Sequence, residues 1–182
     1  MASLSIPFLK TLGSKYRVIL ASGSPRRREL LDRLDIHYEV IPSQFAEDLD
    51  KSQFASASDY VLENAVCKAH DVYQSTAASD KPMLVIGSDT VVVSAEGAIL
   101  EKPASTANAV ETLKGLSGKT NTVFTGVCLL IQVPGEEEPR VERAIESTTV
   151  TFGDLDDDLV QAYVDTGEPM DKAGSYAYQS LA

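Results

Sequence analysis

Val18-Ile19-Leu20-Ala21-Ser22-Gly23-Ser24-Pro25-Arg26-Arg27-Arg28 is followed directly by Glu29-Leu30-Leu31-Asp32-Arg33-Leu34. A short apolar strand runs into small hydroxylic residues, then into a proline and three guanidinium groups at the head of an amphipathic helix. Ser24 is placed to cap that helix, and Pro25 suits its first turn because it has no N–H to lose. The free amides there carry partial positive charge, and arginine forks match phosphate oxygens in pairs. The turn reads as a holder of anions, with phosphate the expected guest.

Working outward, residues 17–22 form a predicted strand, 25–34 a helix with Leu30, Leu31 and Leu34 on one face, and 37–43 a second strand. Strand, turn, helix, strand is the opening of a layered α/β (mixed α+β) fold. Residues 1–16 have no period and are expected to be a loosely ordered lead-in. Residues 44–53 are polar and acidic, with Glu47, Asp48 and Asp50, and read as a loop. Residues 56–74 show apolar positions at helical spacing, with Ser56 as cap and Lys68 on the flank of the stripe, able to reach over the core. Met83-Leu84-Val85-Ile86 has the continuous apolar character of a central strand and is expected to end at Gly87-Ser88-Asp89-Thr90. Val91-Val92-Val93 then turns at Ala95-Glu96-Gly97 and returns as Ala98-Ile99-Leu100, a hairpin that delivers Glu101-Lys102-Pro103. Further on, 105–116 and 154–166 read as helices, while 120–133 and 140–152 read as long strands joined by a polar tip.

The chain has 182 residues, 43% of them hydrophobic and 24% charged, as expected of one ordinary globular domain. No apolar run reaches membrane-spanning length, and Met1 to Lys15 lacks the apolar region of a secretory signal, so a cytoplasmic protein with no membrane partner is expected. Cys67, Cys128, His37 and His70 are isolated from one another, which gives no zinc or iron spacing and two cysteines expected to be reduced and buried. The formal net charge of −11 opposes binding to nucleic acid and makes the arginine cluster a local positive spot suited to a small phosphorylated ligand.

Hydrolysis of a phosphate ester needs cations on the phosphates, a divalent metal held by carboxylates, and a base that activates water. Arg26 and Arg27 are placed to hold phosphate oxygens, Lys68, Lys102 and Lys172 to neutralise charge, and Glu47, Asp89 and Glu101 to bind metal or take a proton. Taken singly, each is better explained as a solvated charge or helix-end ion pair. Asp89 is the clearest exception, since it stands between apolar runs and needs a partner there, either a metal or a lysine. A turn-capping aspartate at a strand-to-hairpin corner explains it nearly as well. Arg28 reads as a solvated helix residue.

Together, Ser22-Gly23-Ser24-Pro25-Arg26-Arg27, Glu47, Lys68, Gly87-Ser88-Asp89-Thr90, Glu101-Lys102-Pro103, Leu116-Ser117-Gly118 and Glu168-Pro169-Met170-Asp171-Lys172-Ala173-Gly174 follow the order seen in the Maf family. These are nucleoside triphosphate pyrophosphatases, also described as septum-formation inhibitors. The chain also resembles the Maf-like domain fused to a methyltransferase-like protein in animals. The resemblance implies one Maf-like domain over 17–182, with a central mixed twisted sheet, flanking helices and a nucleotide cleft. It implies cleavage between the α- and β-phosphates, with Mg²⁺ or Mn²⁺ as cofactor. By position, Ser22, Ser24, Arg26, Arg27, Lys68, Thr90 and Lys172 would bind substrate, Asp89, Glu47, Lys102 and Gln179 would be catalytic, and Asp89, Glu47 and Glu101 would hold metal. Pro25-Arg26-Arg27, Glu101-Lys102-Pro103 and Gln179 resemble the branch acting on dTTP and UTP, with modified pyrimidine nucleotides as further substrates and a role in clearing non-canonical nucleotides. The family commonly forms homodimers. The context Tyr176-Ala177-Tyr178-Gln179-Ser180 lacks the family's usual glycines, and a further strand and helix are expected after the point where this sequence stops, as if its C-terminal end were truncated. The alternative is a non-catalytic nucleotide-binding regulator of division or growth.

Overall fold

In the computed structural model, which describes residues 7–77 and 79–178, the apolar run at the start of the chain becomes β1 (Arg17–Leu20), and Pro25 opens α3 (Pro25–Arg33). Before them, α1 (Pro7–Lys10) and α2 (Leu12–Lys15) are four-residue helices, so the described part of the expected loose lead-in is helical. Leu9 and Leu12 give the reason, because both pack against a buried cluster containing Val18, Ile36 and Leu84. After α3 come β2 (Glu39–Val40), α4 (Ala57–Ser75), β3 (Met83–Val93), β4 (Ile99–Leu100), α5 (Thr106–Leu116), β5 (Thr120–Gln132), β6 (Arg140–Thr151) and α6 (Asp157–Asp165). The strands make one six-stranded sheet in the order β2-β1-β3-β5-β6, with β4 on β3. It is a mixed sheet, since β1 runs parallel to β2 and β3 while β4 runs antiparallel to β3. No helix among the described residues is long and apolar enough to cross a membrane.

The chain divides into two compact units. The first comprises residues up to 53, Leu62–Asp89 and Gly126–Ile145. Here strand side chains alternate between two apolar layers. Ile19, Met83, Val85, Cys128 and Leu130 pack with Ala65, Val66, Ala69 and Val72 of α4. Val18, Leu84, Ile86, Leu129 and Ile131 pack with Leu9, Leu12, Leu31, Leu34 and Tyr38. Apolar residues on both faces are what a central strand covered on both sides requires. Leu30, expected on the buried face of α3, is 51% exposed, and only Leu31 and Leu34 of the three leucines join the core. Cys128 is buried as expected, whereas Cys67 is half-buried, and both are free thiols.

The second unit comprises Phe54–Val61, Thr90–Thr125 and the residues from 146 onward. Ala109, Leu113 and Leu116 of α5 meet Val160 and Val164 of α6 around Val92 and Tyr176. Both helices are capped by their sequence: Ser105 Oγ accepts from Asn108 N at 3.1 Å, and an Asp156 carboxylate oxygen accepts from Leu159 N at 2.7 Å. The Tyr176 ring meets Phe152 edge-on at 4.9 Å, and its hydroxyl donates to Asn121 Oδ1 at 2.7 Å. Burial pushes that phenol up to about 12.

Candidate active site

β3 is one continuous strand of eleven residues, so Gly87-Ser88-Asp89-Thr90 lies inside a strand and is not the corner expected of it. This removes the reading of Asp89 as a turn cap. Met83, Val85, Gly87 and Asp89 alternate onto the face covered by α4. A Cβ on Gly87 would run into the Ala65 carbonyl and come within 2.9 Å of Ala69 N and Cβ. The helix lies that close because there is no side chain between them, and this approach places Lys68 over the next position on the same face.

Lys68 then does what its flanking position suggested. Its ammonium lies 2.8 Å from Asp89 Oδ1 and 2.8 Å from Glu47 Oε2. Lys68 and Asp89 are each 7% exposed, so each depends on the other for a partner that water would otherwise supply. Glu47 reaches the same ammonium from the acidic loop with a left-handed backbone (φ +54°), a strained conformation for a residue with a side chain. That loop is tethered at its start by Asp71 of α4, whose Oδ2 accepts from Ser43 Oγ and from Gln44 N, each at 2.7 Å.

The serine–arginine turn belongs to the same unit and is wired differently from expectation. Ser24 makes no side-chain cap on α3; its amide instead donates to Ser22 Oγ at 3.2 Å. Arg27 Nη1 donates to Ser22 Oγ at 3.0 Å and to the Ser88 carbonyl at 2.7 Å. Arg27 thus ties the turn to the peptide immediately before Asp89. Burial pulls its guanidinium below the ordinary arginine value, against the opposing charges of Asp89 and Glu47. Arg26, at 3.5 Å from Glu29 and more open, is the arginine of the pair better placed to meet a ligand.

The second unit holds the remaining expected residues. Thr90 Oγ1 and Thr125 Oγ1 lie 3.2 Å apart. Glu101 Oε1 accepts the Tyr60 hydroxyl at 2.7 Å, and the Glu101 carbonyl accepts from Gly174 N at 3.0 Å. Lys102 is exposed, and Lys172 pairs with its neighbour Asp171. Gln179 lies outside the described residues.

As for a divalent metal, no three His, Cys, Asp or Glu side chains among the described residues converge to hold one. Glu47 and Asp89 nevertheless present hard oxygens to one shared positive charge, and Mg²⁺ is commonly held by one or two carboxylates with substrate oxygens and water completing the shell. The donor chemistry of Glu47 and Asp89 is of the kind such an ion takes, and these two carboxylates would be its protein ligands.

Several partners were not legible from local pattern. Arg27 and Ser88 are 61 positions apart, Tyr60 and Glu101 are 41, and Ser43 and Asp71 are 28. Gly87 did carry a signal, since a glycine within an apolar strand pattern marks close backbone approach.

The Maf model, described as "Maf-like protein", matches residues 17–182. A human protein named "Probable bifunctional dTTP/UTP pyrophosphatase/methyltransferase protein" is 43% identical over 91% of this chain. A "Nucleoside triphosphate pyrophosphatase" of Dictyostelium discoideum is 43% identical over 91%, and a "dTTP/UTP pyrophosphatase" of Caldicellulosiruptor bescii is 40% identical over 91%. The matched region spans 27% of the human protein's length and 77% and 79% of the other two. The chain belongs to the Maf family.

Proposed function

We propose, from membership of the Maf family and the buried cluster beside the serine–arginine turn, that this chain hydrolyses nucleoside triphosphates, dTTP and UTP foremost, to the monophosphate and pyrophosphate. The observation that carries the reading is Asp89, a carboxylate inside a central strand, 7% exposed and 2.8 Å from the Lys68 ammonium. Relatives 40–43% identical that are named for pyrophosphatase activity support the same reaction.

Arg26 and the amides at the head of α3 bind phosphate oxygens, a role suited to bidentate guanidinium and to helix N-termini. Asp89 takes a proton from water as its oxygen attacks the α-phosphorus. The bond from that phosphorus to the bridging oxygen breaks, and pyrophosphate leaves with the electron pair. Arg27 holds the turn and the strand in register during this step. Glu47 and Asp89 would hold Mg²⁺ or Mn²⁺, which when bound would supply charge neutralisation on the phosphate oxygens. The roles expected of Glu101, Lys102, Lys172 and Gln179, the removal of non-canonical nucleotides and a homodimeric state rest on the family resemblance, and a cytoplasmic setting on the sequence pattern.

Incubation with dTTP, UTP, CTP and 7-methyl-GTP plus Mg²⁺ tests the reading, with pyrophosphate and monophosphate as the expected products. In ¹⁸O-labelled water the label should enter the monophosphate. Orthophosphate release, or label in pyrophosphate, would reject the assigned bond; nucleotide binding without product would reject hydrolysis. Asp89→Asn keeps the shape and removes the base, so kcat is expected to fall by about 10²- to 10⁴-fold while nucleotide-dependent thermal stabilisation survives.

A further inference from the structure

Beyond the substrate contact implied by the family resemblance, the proposed reaction gives Lys68 no task. Its ammonium sits 2.8 Å from one oxygen of Glu47 and 2.8 Å from one of Asp89, with the lysine side chain only 9% exposed. Two carboxylates aimed at one buried place repel unless a cation stands between them. Lysine supplies that cation from within the chain. The same two carboxylates are the donors that fit a divalent metal, and an ammonium and a metal ion cannot occupy that place together.

We propose that Lys68 is a resident place-holder for the divalent cation, so that the nucleotide-free protein excludes the metal and a triphosphate admits it. The triphosphate does so by offering the ammonium its own oxygens. This rests on the nucleotide reading of the site. The geometry indicates which contact yields: Asp89 is fixed within β3, whereas Glu47 stands on a loop with its side chain 45% exposed and its backbone strained. Lysine is suited to the exchange, being a compact charge on a flexible four-carbon stem. Metal binding thereby becomes conditional on substrate.

The test is Mn²⁺ binding to nucleotide-free protein, read from the electron paramagnetic resonance of free Mn²⁺. Lys68→Met and Lys68→Gln should bind Mn²⁺ at least about tenfold more tightly than the unsubstituted protein, because a repelling charge has gone. Lys68→Arg, which keeps the charge, should bind no more tightly than the unsubstituted protein. Thermal unfolding with and without Mn²⁺ shows that each variant is folded and should give the same order. Folded Met and Gln variants that gain no affinity would overturn the proposal, as would an equal gain in Lys68→Arg. Should the neutral variants not fold, the ¹⁵N resonance of the Lys68 ammonium in the unsubstituted protein decides. It should stay put with Mg²⁺ alone and move when a non-hydrolysable α,β-methylene analogue of UTP is added; movement with Mg²⁺ alone would overturn the idea. None of these readouts requires turnover, so a protein that fails to hydrolyse nucleotides is distinguished from one whose lysine does not hold the metal's place.

Discussion

Gly87 has no room for even one methyl group, because its Cβ would collide with the Ala65 carbonyl and press on Ala69. The obstacle is helix backbone, which cannot swing aside as a side-chain tip would. Gly87→Ala should therefore cost about 1–3 kcal/mol in urea unfolding. It should also lower kcat, since the displaced helix carries Lys68. Unchanged stability would show that α4 is free to retreat. Ser175 presents the opposite case. It is fully buried at φ +63°, and its Oγ has no hydrogen-bond partner among the described residues. Ser175→Gly removes both the strained Cβ and the orphaned hydroxyl, and a gain of about 1 kcal/mol in the same unfolding measurement is expected.

At the scale of elements, the start of the acidic loop is tethered by one carboxylate, that of Asp71. Hydrogen bonds from Ser43, then from Gln44 N, hold Asp71 below the ordinary aspartate value of 3.8. A depressed folded-state value means that this support is complete above the unfolded value and is lost as pH falls through the folded one. Asp71→Asn should thus flatten the part of the stability–pH curve below about pH 4, as followed by circular dichroism; an unaltered acid limb would show that the loop is held by other bonds. The same elements show what local pattern conveys. Helix α4 was legible because its apolar stripe and its cap, Ser56 Oγ accepting from Asp59 N at 3.1 Å, are both local. Lys68 was legible for the same reason. β3 runs on through Gly87, where local pattern predicts its end because Gly, Ser, Asp and Thr are turn formers by intrinsic preference. Each is kept in the strand by distant partners instead: Ala65 and Ala69, Arg27, Lys68, and Thr125. β2 is shorter than the strand predicted over 37–43, since alternation describes side chains, whereas β1 is paired with Glu39 and Val40 and takes one further bond from Ile41 N to the Leu20 carbonyl at 3.1 Å.

For the molecule as a whole, a net charge of −11 means that the field far from the site repels a triphosphate, and the arginine turn offers local attraction against it. Each unit has a core of its own, the first around Ile19, Val85 and Leu130 and the second around Val92, Leu113 and Val160. Cys128 stands on β5 within the first of those cores, fully buried, and burial pushes its thiol up to about 11. At neutral pH it is both unreachable and almost entirely protonated, which makes it doubly inert in the closed molecule. Half-buried Cys67 offers a comparison in the same chain. Labelling with a thiol reagent should consequently split into two phases, a faster one removed by Cys67→Ser and a slow one that stays independent of reagent concentration at high excess. The slow phase is then a chemical clock, ticking once each time the sheet's interior opens to solvent. A slow phase that kept rising with reagent concentration would mean that Cys128 is reached without such an opening.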